Sequence, residues 1–248
     1  MWEVNNPLKP HKEENKMKFR GKNYKEQVSK VEKGRLYTKE EAVKLIKEVS
    51  NSKFDATIEV AMNLNLDVKK ADQQLRGAMV LPKGTGKEVK VLVIAKGDQA
   101  KAAQEAGADF VGDMDMIQKI EKENWFGFDT LIATPEMMPL LGKLGKVLGP
   151  KGLMPNPKTG TVTTNVKQAV LDAKSGKVEY RTDSYGNIHG VVGKVSFSDE
   201  DLLTNLEAFV KTIIKAKPQA AKGTYVKSIS ICSTMSPAVK LDQNSFDI

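Results

Sequence analysis

"TIEVAMNLNL", residues Thr57–Leu66, alternates without a break. Ile58, Val60, Met62, Leu64 and Leu66 fall on one side of an extended chain, and Thr57, Glu59, Ala61, Asn63 and Asn65 on the other. Successive strand side chains point to opposite faces, so the pattern predicts a strand with one face on a core and one in water. Just upstream, Thr38 and Glu41 form a T-x-x-E capping box ahead of "EEAVKLIKEV". Ala42, Val43, Ile46 and Val49 then share a helical face, which predicts an amphipathic helix over Thr38–Ser50.

After "LPKGTGK" the style changes. "EVKVLVIAKG" is an almost continuous apolar run, as in a strand covered on both faces. A helix in "DQAKAAQEAG", a short strand "ADFVG", a helix around Met114–Lys122, a strand "DTLIATP", a helix from Glu136 and another in "NVKQAVLDAKSG" follow. Such alternation predicts a small parallel sheet flanked by helices.

From Lys177 the antiparallel style returns. "KVEYRTD" and "IHGVVGKVSF" flank the turn-rich "SYGN", which reads as a hairpin. A helix over roughly Asp199–Lys217 carries Leu202, Leu206, Phe209, Val210, Ile213 and Ile214 on one side, and Pro218 stops it. The last strand, "TYVKSISICSTM", puts Ser228, Ser230, Cys232 and Thr234 on one face.

The fold class expected is therefore α/β. A discontinuous split domain with an open sheet face is built from residues 17–83 and 177–248, and a second α/β domain is inserted over residues 84–176. Both junctions, "KGTGK" and "KSGK", contain glycine and are flanked by lysine, as suits a hinge.

Composition narrows the partner. The net charge of +8 points to an anionic partner, nucleic acid first. One cysteine, Cys232, leaves no internal disulfide and fits a reducing cytoplasm. No stretch reaches the roughly 18 apolar residues of a membrane span. Residues 1–16 mix three lysines, three glutamates and two prolines and read as a disordered tail, with Met17 a plausible start of its own. From Lys16 to Arg35, eight basic residues face two acidic ones; a solvated face and an RNA-touching arm both fit.

The usual catalytic signatures fail. No G-x-x-x-x-G-K-[ST] loop or G-x-S-x-G elbow occurs, and after Gly84 and Gly86 the third position of G-x-G-x-x-G is Val89. With only His11, His189 and Cys232, no metal-ligand cluster exists, and neither a catalytic residue nor a cofactor is expected. What remains is two strands with small polar faces. A solvated sheet face fits this, and so does an RNA surface, where hydroxyls and amides meet sugars and splayed bases. Nearby Lys53, Lys177, Lys194 and Lys227 would neutralise phosphates.

"GKLGKVLGPKGLMPNPKTGTVT", Gly142–Thr163, holds five glycines, three prolines and four lysines, and no acidic residue occurs between Met137 and Leu171. It resembles the signature segment of the bacterial-type large-subunit ribosomal protein family "L one", the stalk protein family. The resemblance runs from about Tyr37 to Val239 through "SKFDATIEV", "DQQLRGAMVLPKGTGK", "VLVIAKG", "EAGADFVG", "NIHGVVGK", "AKGTYVKSI" and "STMSP". It implies a split domain with a Rossmann-like three-layer insert, no enzymatic activity, and a ribosome-bound, cytoplasmic protein that is monomeric when free. The partners implied are large-subunit rRNA, the rest of the large subunit, exit-site tRNA in passing, and the messenger of its own operon, which it would repress.

On the matching positions, the resemblance implies rRNA contacts by Lys53, Phe54, Thr57 and Glu59 and by Lys227, Ser228, Thr234, Met235 and Ser236, with His189 and Lys194 peripheral. The family pattern Thr-Met-Gly departs here to Thr234-Met235-Ser236, so the serine side chain must tilt away or find a partner. Lys143, Lys146, Lys151 and Lys158 are candidates for further RNA contacts from a stiffened surface loop, whose glycines and prolines fit an interdomain structural role equally well. Two other readings are a nucleotide-binding enzyme using the insert and a free RNA-binding regulator.

Overall fold

The computed structural model describes residues 21–246, and the tail expected at residues 1–16 lies outside them. In chain order the described elements are α1 (Lys22–Lys30), α2 (Lys39–Val49), β1 (Thr57–Leu64), β2 (Arg76–Val80), β3 (Val91–Ile94), α3 (Asp98–Glu105), β4 (Phe110–Gly112), α4 (Met114–Glu123), β5 (Thr130–Ala133), α5 (Met138–Gly142), α6 (Gly145–Leu148), α7 (Val166–Lys174), β6 (Lys177–Arg181), β7 (Asn187–Lys194), α8 (Asp199–Lys215), β8 (Val226–Ser233) and β9 (Val239–Leu241). The class is mixed α/β, as expected.

Both chain ends build one antiparallel sheet, ordered β7-β1-β8-β9. Its inward residues Ile58, Val60, Met62 and Leu64 of β1, with Ile188, Val192, Ile229 and Ile231, are buried against α2 and α8. Thr38 caps α2 as its spacing foretold: its side chain accepts from the Glu41 N–H, and the Glu41 carboxylate accepts from the Thr38 N–H. Phe209 of α8 lies directly over Gly190 of β7, where a Cβ would collide with the ring. Past Val239, Phe246 closes the core at 2% exposure, so residues beyond the recognisable motifs still seal it.

The middle of the chain forms a parallel sheet, β4-β3-β5. Leu92 and Ile94 pack on one face with Ile117 and Ile120 of α4, and Val91 and Val93 on the other with Ala103 of α3 and Val170 of α7. Three layers result. The continuous apolar run of β3 is thus accounted for by helices on both sides.

Two expectations are corrected. The segments around "SYGN" meet in a tight turn, with the Asp183 N–H donating to the Asn187 carbonyl at 2.9 Å and Thr182 bridging Ile188, but they do not continue as a two-stranded hairpin: β6 pairs with β2 and β7 with β1. Thr182 is instead held by Leu75, its N–H donating to the Leu75 carbonyl at 3.0 Å, so the chain turns a corner between two sheets. The glycine-rich stretch is also more than a loop, because it includes α6. Leu141, Leu144 and Leu148, spaced three and four apart, are buried against the parallel sheet and wind the chain there.

The two crossings between the units touch. Leu81 donates its N–H to the Gly176 carbonyl at 3.3 Å. Asn205, fully buried on α8, accepts from the Lys83 N–H at 3.0 Å and donates to the carbonyls of Gly84 at 3.0 Å and Val192 at 2.8 Å. Among the described residues, no helix is long and apolar enough to cross a membrane.

Candidate nucleic-acid interface

Helices cover one face of the antiparallel sheet and leave the other open. Register places its outward residues in cross-strand rows: Asn187, Asn63 and Ser228; His189, Ala61, Ser230 and Lys240; Val191, Glu59 and Cys232. From Thr57 to Asn63 the face extends about 20 Å at the usual strand rise. Its lining is hydroxyl, amide, imidazole and carboxylate, with little apolar area.

One end of this face is tightly organised. Lys194 Nζ donates to Thr57 Oγ1 at 3.0 Å and to the Asp55 carbonyl at 3.4 Å. The Thr57 N–H donates to Thr234 Oγ1 at 3.3 Å, and Thr234 N–H donates to the Thr57 carbonyl at 3.0 Å. Asp55 fixes the preceding loop by accepting from Ser196 N–H at 3.1 Å and Ser196 Oγ at 2.9 Å. Beside this knot Phe54 is 57% exposed and Met235 77% exposed. Met235 takes a left-handed backbone conformation, φ 71°, uncommon for a non-glycine residue.

Ser236 resolves its own departure. Its Oγ accepts from the Ser233 N–H at 2.9 Å and lies within reach of the Ser233 and Pro237 carbonyls, at 3.1 and 3.2 Å. The hydroxyl folds back into the turn that presents Met235.

Lys53, Phe54, Thr57, Thr234, Met235 and Ser236 therefore gather at one end with Lys194, while Glu59 follows one row in and His189 stands midway, exposed on the edge strand. Lys227 and Ser228 are exposed at the opposite end. Lys177 does not join them: its Nζ reaches the Gly160 carbonyl at 3.4 Å, because β6 lies in the two-stranded ribbon and not in this sheet. Lys143, Lys146, Lys151 and Lys158 are exposed on the inserted unit, apart from the open face. Lys151 Nζ lies 4.3 Å from the Phe126 ring centre, a cation–π contact.

Sequence reading missed the amide pair in which Asn63 Nδ2 donates to Asn187 Oδ1 at 2.6 Å, and it missed Lys240 on β9. Alternation marked Asn63, yet nothing local says which strand lies beside it. Cys232 is half-buried, and burial, with the Glu59 carboxylate opposite, pushes its thiol pKa up and away from reactivity. Chemically, the face can hydrogen-bond ribose hydroxyls and base edges, and its lysines can meet phosphates.

A protein of Limosilactobacillus fermentum (strain NBRC 3956 / LMG 18251), named Large ribosomal subunit protein uL1, is 57% identical over 229 residues, 92% of this chain and 99% of that protein. The model of the Ribosomal protein L1p/L10e family matches residues 46–237. That span takes in β1, β7, β8 and the whole parallel sheet, and with them the turn at Met235 and the open face apart from Lys240 of β9. By both comparisons, the chain belongs to the Ribosomal protein L1p/L10e family.

Proposed function

We propose that the chain is a constituent of the large ribosomal subunit that binds large-subunit rRNA through the open face of its antiparallel sheet. The observation that carries this reading is the knot of Lys194, Thr57 and Thr234 beside the exposed Phe54 and Met235, a cation, hydroxyls and apolar surface at one end of an uncovered polar sheet. Phe54 and Met235 supply packing for sugar or base, Glu59 and the hydroxyls meet 2′-OH groups, and Lys53 and Lys227 add affinity that weakens with salt. Residues 17–83 and 177–248 act as the RNA-binding unit, with residues 84–176 as a hinged insert. In this reading the protein shapes the mobile stalk, its motion assists release of tRNA from the exit site, and a messenger segment that mimics the rRNA site lets it repress its own operon.

Binding to a stalk rRNA fragment and to a scrambled hairpin, across a salt series, tests the reading. With about five phosphates neutralised, log affinity for the fragment should fall with log salt at a slope of roughly −4. Equal affinity for the two RNAs overturns it. Co-sedimentation with large subunits separates a ribosomal constituent from a free regulator.

A further inference from the structure

The basic segment Lys16–Arg35 has no role in the reading above, and its described part builds α1. The first turn of α1 faces Phe54 and Met235 across a cleft of about 890 Å³, within the size range of small-ligand sites. Tyr24, Phe54 and Met235 give the cleft aromatic and apolar surface, and Asn23 and Asn51 line it with amides. Among the described residues that line it, Lys22 is the charged one and none is a carboxylate. Lys25 and Lys53 are exposed next to it in sequence.

Ring surface, amides and a cation without an acid are the chemistry that takes an unstacked nucleotide: stacking holds the base, amides read its edge, and the cation meets phosphate. A peptide could also use the amides and the cation; what selects RNA is that the cleft opens onto the end of the sheet face. Phe54 and Met235 belong both to this cleft and to the end of the open sheet face, so RNA lying along the face reaches the cleft mouth.

We propose that the cleft between α1 and Phe54 receives one extruded base of the RNA bound by the sheet, with Tyr24 and Phe54 supplying ring surface, Asn23 and Asn51 reading the base edge, and Lys22 neutralising the adjoining phosphate. The inference rests on the RNA-binding reading of the same face. It makes α1 a specificity element and not a solvated ornament.

The test uses the full chain, the stalk rRNA fragment and the variants Tyr24→Ala, Tyr24→Phe, Asn51→Ala and Phe54→Ala. Tyr24→Ala should weaken binding about tenfold, the scale of a lost base–aromatic stack, with the salt slope unchanged because no phosphate contact is lost. Tyr24→Phe should bind like the wild type, and Asn51→Ala should lose a few-fold. Base-edge probing with dimethyl sulfate or a carbodiimide should find at least one base shielded by the wild type and reactive with Tyr24→Ala. If Tyr24→Ala lowers the unfolding midpoint, the exposed Asn51 carries the affinity comparison. Wild-type affinity and shielding in Tyr24→Ala and Asn51→Ala, with binding lost in Phe54→Ala, overturns the cleft and leaves the sheet reading standing. Failure of the wild type to prefer the stalk fragment over a scrambled hairpin overturns both.

Discussion

Gly176 and Gly84 lie against each other where the two crossings meet: a Cβ on Gly176 would stand 2.6 Å from the Gly84 Cα and 2.9 Å from the Thr85 nitrogen. Both residues are left-handed, with φ of 91° and 68°. Gly176 has no room for a side chain, whereas a Cβ on Gly84 would meet only the Ser175 carbonyl at 3.7 Å, so the junction needs Gly176 for contact and both glycines for conformation. We predict that Gly176→Ala lowers stability by about 1–3 kcal/mol from backbone strain, with the clash adding to it. A urea unfolding midpoint equal to the wild type would show that the crossings can separate freely.

Asn205 ties that junction to the long helix. Its removal strands the Lys83 N–H and the carbonyls of Gly84 and Val192. Buried groups left unpaired cost about 1–3 kcal/mol each, and we expect Asn205→Ala to destabilise by roughly 3 kcal/mol in total. Asn205→Asp should fail to rescue, since a carboxylate replaces two donated bonds with repulsion. Rescue by aspartate would mean that acceptance from Lys83 alone matters.

Phe54→Ala and Thr234→Val should each weaken binding to the stalk fragment by about 1–3 kcal/mol, the scale of a lost stacking contact or stranded hydrogen bond. Phe54 is exposed, so its truncation should leave thermal stability nearly unchanged. Undiminished affinity in both variants would remove the sheet face as the interface.

Acid should loosen the parallel sheet. The Val91 N–H, donating to Asp109 at 2.9 Å, holds the Asp109 carboxyl below its ordinary value of 3.8, with Lys174 contributing. The Lys87 ammonium, bonded to Asp129 at 2.6 Å, and the Lys90 N–H do the same for Asp129. A pKa depressed on folding contributes stability that is present above the unfolded value and lost as pH falls through the folded one. Urea midpoints should therefore drop below about pH 4. The double variant Asp109→Asn, Asp129→Asn should flatten that acid limb; an unchanged limb would assign the loss to other carboxylates.

Local periodicity made much of this fold legible. Thr38 and Glu41 announced the start of α2, and the alternation of β1 named its buried and wet residues one by one. The hairpin at "SYGN" misled because strand and turn signals are local, whereas the choice between β2 and β7 as partner for β6 is made by Leu75 and the core. Leu141, Leu144 and Leu148, which run from α5 through α6, were visible at helical spacing but masked by surrounding glycines and prolines. Asn205 was hidden for the opposite reason. A lone polar residue on an apolar helix face carries no pattern that tells a buried bracket from an exposed amide.

By its residues alone, the chain determined that β1 and β8 each have a polar side and that β3 has none, because strand and helix repeats act over a few neighbours. Only the tertiary structure decided that β8 lies beside β1, that Thr234 meets Thr57 across 177 residues, and that Tyr24 and Phe54 line one cleft. Those contacts follow from closing one core around both chain ends. The free energy of burying Ile58, Phe209 and Phe246 together, and not any local preference, selects the register that assembles the face.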